Sequence, residues 1–162
     1  KVLRLLQKED VKISYKYAQA IRRLQKISDG HRDIILRSYK HIGNNHKGLL
    51  DIQIEELKQI KICILDIMLM AETSFRKKEI VNYQDIVPQY RYMRLLADQF
   101  NEHRIERIRN DTSKTRLSIL FYAIVGNCIM IGKQNIKLLE IFNESFKFDE
   151  KLSESYFKID SR

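Results

Sequence analysis

A chain of 162 residues has room for one ordinary domain with a sizeable core. Its 44% apolar and 31% charged residues exclude a disordered or membrane-embedded polypeptide. Five Gly and one Pro are too few for a turn-rich sandwich or barrel, so a few long helices are expected, carrying a net charge of +9.

The first helical pattern runs from about Glu9 to Ile42. Tyr17, Ala20, Ile21, Leu24, Ile27, Ser28, His31, Ile34, Ile35 and Ile42 recur at three- and four-residue spacing along what reads as one largely apolar face. Gly43 to Gly48 stop this helix, and Gly43 suits the left-handed residue that follows a helix end. A second helix is expected from about Leu50 to Phe75, with Asp51, Glu55 and Glu56 giving negative charge near its start. Its stretch Ile60 to Ala71 is apolar nearly all round, broken only by Lys61 and Asp66. Such a stretch lies centrally among other helices or meets a partner.

Residues 76–83 form a charged connector to a third helix, about Asp85 to Asn110, with Pro88 in or near its first turn. Asp111, Thr112 and Ser113 offer N-cap side chains for a fourth helix, about Ser113 to Phe146. The 16-residue uncharged run from Leu117 to Gly132 falls short of the about 20 residues of a membrane span and reads as a core helix. The sum is an all-α, up-down antiparallel four-helix bundle over residues 1–146, followed by a C-terminal tail, 147–162.

Charge is unevenly placed. Residues 1–47 hold 12 Lys/Arg against 4 Asp/Glu, so nearly all of the basic bias sits on the first helix and its exit loop. Cys63 and Cys128 lie in apolar runs without paired spacing, which fits reduced core thiols in a cytoplasmic compartment.

Sites for catalysis are wanting. A di-iron bundle needs Glu-x-x-His on two helices, and the residues three before His31, His41, His46 and His103 are Ser28, Ser38, Gly43 and Phe100. No G-x-S-x-G, P-loop or dinucleotide glycine pattern occurs, so no enzyme and no cofactor are expected. Asp29 and Asp33 are a carboxylate pair one turn apart that can share a hard cation, but two such ligands rarely suffice, and surface acids balanced by Arg22, Lys26 and Arg37 are the simpler reading. Arg22, Arg23 and Lys26 with Arg32, Arg37 and Lys40 suggest a basic stripe, yet no nucleic-acid motif accompanies it.

The segment Ala20 to Ile34 resembles the helices of PhoU-like domains, in which the Glu and Asp of an E-x-x-x-D pentad bind metal. Gln25 to Asp29 occupy that pentad, followed by Asp33-Ile34. A second similarity joins His103 to Ile108 with the fourth helix, where Asn127 to Lys133 lie at the other pentad. The loop His41 to Leu50, followed by Gln53-x-x-Glu56-Leu57, is similar to the first interhelical junction of the cytosolic C-terminal PhoU-like domains of bacterial sodium/phosphate cotransporters. The resemblance covers roughly residues 15–145.

Gln25 stands for the first acid, while Ile129 and Lys133 stand for the second pair, and a lysine opposes a cation. The resemblance therefore implies a scaffold that has lost its metal chemistry, with no metal expected beyond the remnant Asp29 and Asp33. It further implies an accessory or regulatory domain at the cytoplasmic face of the inner membrane, contacting the transmembrane transporter domain of the same polypeptide. A second copy and an anionic lipid surface are further partners to consider, and nucleic acid is the least favoured. The basic first segment fits proximity to lipid. Interface candidates are Ile60, Ile64, Ile67 and Met68 on the second helix, with Arg22, Arg23 and Lys26 on the first. Two other readings are a free-standing PhoU-like metal-binding regulator of phosphate transport and a basic nucleic-acid-binding bundle.

Overall fold

The structure, a computed structural model, describes residues 2–78 and 82–143. It is a four-helix bundle of α1 (Val2–Gly43), α2 (Asp51–Lys77), α3 (Tyr83–Arg109) and α4 (Thr115–Phe142), and no strand occurs among the described residues. The expected tail, 147–162, and the last residues of the expected fourth helix lie outside the described residues.

The helices run antiparallel in sequence order. Arg23 bonds Gln134 and Asp33 bonds Asn127, so α1 and α4 point in opposite directions. Glu56 meets Arg107 while Gly132 lies against both Ile64 and Tyr90, which sets α2 against α3. Phe75 packs edge-on against Phe142, and α2 therefore runs parallel to α4.

The bundle is not four-square. Helix α4 packs on all three others, and α2 packs on α3 as well, whereas α1 is seated mainly on α4. A core of Ile60, Ile67, Ile86, Tyr90, Met93, Phe121, Ile131 and Ile136 fills the space between α2, α3 and α4. This explains the uncharged run of α4. By length and composition α4 is also apolar enough to cross a membrane, but here it is the helix around which the other three are arranged. Gly132 lets three helices converge, since a Cβ there would lie 2.7 Å from Met93 Cε. Gly30 does the same for α1 on α4, where a Cβ would lie 2.6 Å from Met130 Cε and 2.9 Å from Ile131 Cγ1.

Helix ends differ from expectation in three places. Gly43 is the last helical residue of α1, and the left-handed position is taken by Asn45, whose side chain tolerates it. Helix α3 starts at Tyr83, capped by Asn82 Oδ1 accepting from Gln84 N (3.2 Å), so Pro88 lies in the second turn of the helix. The N-cap of α4 is Lys114, with no side-chain cap. Thr112 instead donates its hydroxyl to Arg107 O, and Ser113 bonds Ser118.

Candidate interaction surface

The apolar positions of α1 divide into two rows. Ala20 is buried, and Ile27 and Ile34 pack half-buried against the core. Tyr17, Ile21, Leu24, Ile35, Tyr39 and Ile42 lie roughly a quarter turn around the helix and are exposed, Tyr39 by 74%. The single face read from the sequence is thus one packed row and one open row. At about 1.5 Å per residue α1 is about 63 Å long, and the Arg23–Gln134 contact leaves its first ~15 residues running past the end of α4.

The interface candidates on α2 are corrected by the core. Ile60 and Ile67 are fully buried, Ile64 is buried, and Met68 packs half-buried against the same cluster. They sit on the side of α2 that faces α3 and α4, so the three isoleucines belong to the core and offer no surface to a partner. The outward apolar residues of that stretch are Ile62, Leu65 and Leu69. On α1, Arg22 and Lys26 are exposed as proposed, but Arg23 turns inward and donates Nη1 to Gln134 Oε1 at 3.1 Å.

Residues 25–29 of α1 and 127–133 of α4, which resemble the metal-binding pentads, lie on neighbouring helices. What meets there is Gly30, Met130 and Ile131, flanked by the Arg23–Gln134 and Asp33–Asn127 pairs. Asp29 pairs with Arg32 in solvent at 3.0 Å. Asp33 accepts from Arg37 Nε at 2.6 Å and from Asn127 Nδ2 at 2.8 Å, and these bonds, Arg37 foremost, hold its carboxyl below the usual range. Both donors share the one oxygen, Oδ2. Lys133 lines a cavity of about 420 Å³ between α3 and α4, together with Arg94, Arg104 and Tyr122. Among the described residues no three His, Cys, Asp or Glu side chains gather as a metal site. Cys63 is buried, and burial pushes the thiol of Cys128 up to about 11, away from thiolate chemistry.

Two other similarity segments, Gln53–Glu56 and His103–Ile108, are joined by the fold. Glu56, 3% exposed on α2, accepts from His103 Nδ1 (2.9 Å) and from both terminal nitrogens of Arg107 (2.9 and 2.8 Å). Gln53 Oε1, one turn earlier, accepts from the backbone N–H of Leu50 and ties the start of α2. Sequence spacing marks an acid on one helix and a His/Arg pair on another. It carries no signal that they form one buried cluster.

No family model, curated protein or solved structure matches the chain.

Proposed function

We propose that the chain is a non-catalytic interaction domain, working as the cytosolic PhoU-like accessory domain of a sodium/phosphate cotransporter. In this reading it meets the transmembrane domain of the same polypeptide at the membrane's cytoplasmic face. The observation that supports contact is the open row of α1. Six large apolar side chains stand exposed on a helix that is seated mainly on one neighbour. Fully covering one such side chain is worth about 1.5–3 kcal/mol, so a partner covering half the row gains several kcal/mol. Ser28 and His31 divide the row into two apolar groups, Tyr17–Leu24 and Ile35–Ile42, and exposed apolar groups of this kind mark sites of association. Arg22 and Lys26, exposed on the same helix, suit an acidic partner or an anionic membrane surface.

The metal-binding regulator has less support, because Asp33 is bonded to Arg37 and Asn127 and the second pentad offers Ile129 and Lys133. Stoichiometric iron or zinc in protein purified without chelator, lost on Asp29→Ala, would restore it.

The deciding experiment has two parts. The reading frame upstream of Lys1 is expected to encode several hydrophobic spans, and a start codon directly before Lys1 would end the transporter reading. In the full-length protein, Ile21→Asp with Ile35→Asp and Tyr39→Asp is expected to alter phosphate uptake while the isolated domain keeps its helical circular dichroism. Uptake unchanged by all three would remove the open row from the function.

A further inference from the structure

At the end of the bundle where α1 stops and α4 begins, two adjoining cavities share His41, His46 and Arg116. The larger, about 400 Å³, adds Lys47, Lys114 and Thr115 to these. The smaller, about 250 Å³, is flanked by Arg37 and Lys40 of α1. No carboxylate lines either cavity. Arg37 is paired with Asp33, but Lys40, Lys47 and Lys114 have no ion pair among the described residues.

Three of these side chains are held in place, while Lys47 and Lys114 are exposed. His41 Nε2 donates to Lys47 O at 2.8 Å and fixes the loop over the end of α1. Arg116 Nη1 donates to His46 Nε2 at 3.3 Å, and the two imidazoles stand 5.0 Å apart. The Arg116 bond consumes the lone pair of neutral His46 and leaves Nδ1–H as a donor. The first N–H groups of α4 have no side-chain cap and no acid in the first turn, so they add partial positive charge to the same place. Like charge gathered around a cavity with no counter-charge is costly unless an anion occupies it.

We propose that this cavity binds a phosphate group, either as inorganic phosphate or as the headgroup phosphate of a lipid, through Lys47, Lys114, Arg116 and the His41–His46 pair. The two sources share one chemistry: a compact multivalent oxyanion that accepts from several donors at once. The inference stands on the cavity and holds whether or not the chain belongs to a transporter.

The test uses the full chain and two probes. Inorganic phosphate is titrated at low salt by calorimetry and by ¹⁵N NMR, and flotation is measured with phosphatidylcholine vesicles containing one quarter phosphatidylglycerol. Binding of either probe is expected to fall at least tenfold in the Lys114→Gln, Arg116→Gln double variant. It is expected to stay within twofold in Lys61→Gln with Lys77→Gln, which removes the same charge from exposed positions of α2. Saturable phosphate binding with shifts at Thr115, Arg116 and His46 identifies a free anion as ligand. Flotation alone, lost in the same double variant, identifies the lipid headgroup. Absence of both overturns the proposal, as does an equal loss in the two double variants, which marks general Coulomb attraction. Should the first double variant unfold, Lys47→Gln in the exposed loop serves, with a loss of at least threefold expected and no loss counting against the site.

Discussion

Two histidine–arginine clusters lie at the same end of this bundle and have opposite charge balance. In one, His103 and Arg107 of α3 close on Glu56, and the three side chains lock α2 to α3. In the other, His41, His46 and Arg116 surround a cavity edged by Lys47 and Lys114, with no carboxylate among them. The same residue types thus make a closed internal ion pair in one place and an open positive pocket in the other. The difference that sets the charge balance is a buried acid, present in the first and absent from the second. The complete cluster joins two helices, and the cluster without a carboxylate is the one open to an anion from outside.

Removing the acid from the closed cluster has the largest expected effect. Glu56→Ala leaves Arg107, only 12% exposed, facing a void without its partner, and loss of one member of a buried ion pair costs about 3–5 kcal/mol. Urea denaturation measures this directly. A loss below about 1 kcal/mol would mean that the cluster is hydrated and that the two ends of the comparison are not different in kind. Phosphate binding at the other cluster should survive in whatever fraction remains folded.

The seat of α1 comes next. His41 brings α1 into the open cluster, and α1 lies against α4 at Gly30. Gly30→Val drives branched carbons into Met130 and Ile131, and such overpacking costs about 1–3 kcal/mol. Hydrogen exchange should show α1 losing protection while α2, α3 and α4 keep theirs. A uniform loss over all four helices would show that α1 folds as one unit with the core.

Much of this architecture was legible in the sequence. Four helices followed from long 3.6-residue patterns and from the scarcity of Gly and Pro, and their order and antiparallel sense followed from short connections. What periodicity did not supply was direction. In α2 every third or fourth position is apolar whichever row is chosen, so Ile60, Ile64 and Ile67 read no differently from Ile62, Leu65 and Leu69. Only the seating of α3 and α4 makes the first set core and the second set surface. On α1, two adjacent apolar rows merge into one broad stripe on paper, and a single main neighbour separates them. Both histidine–arginine clusters escaped notice because each joins residues some 50 to 70 positions apart.

Supplying the open cluster with the acid it lacks is a smaller perturbation. Thr115→Glu places a carboxylate in the first turn of α4, beside Lys114 and Arg116. A stabilisation of about 0.3–1 kcal/mol is expected from the helix N-terminus and the nearby cations. The same substitution should abolish phosphate binding, because the cavity then carries its own anion. Stabilisation with binding intact would place the anion elsewhere.

The subtlest contrast is in pH. Burial, Arg116 and His41 hold the His46 imidazole below its ordinary value of 6.5. It is faced by Arg37, Lys40 and His41 from α1, by Lys47 from the loop, and by Lys114 and Arg116 from α4. As pH falls below about 6.5 the unfolded chain takes up a proton at this residue before the folded protein does, so the folded state loses stability toward acid. His46→Gln removes that contribution. The difference in denaturation midpoint between the native protein and this variant should therefore turn against the native protein from pH 7.5 to pH 5.5. Added phosphate should shrink that change, because a bound anion favours the imidazolium. If phosphate leaves the difference untouched, His46 does not face the bound anion, and the open cluster consists of its lysines and arginine alone.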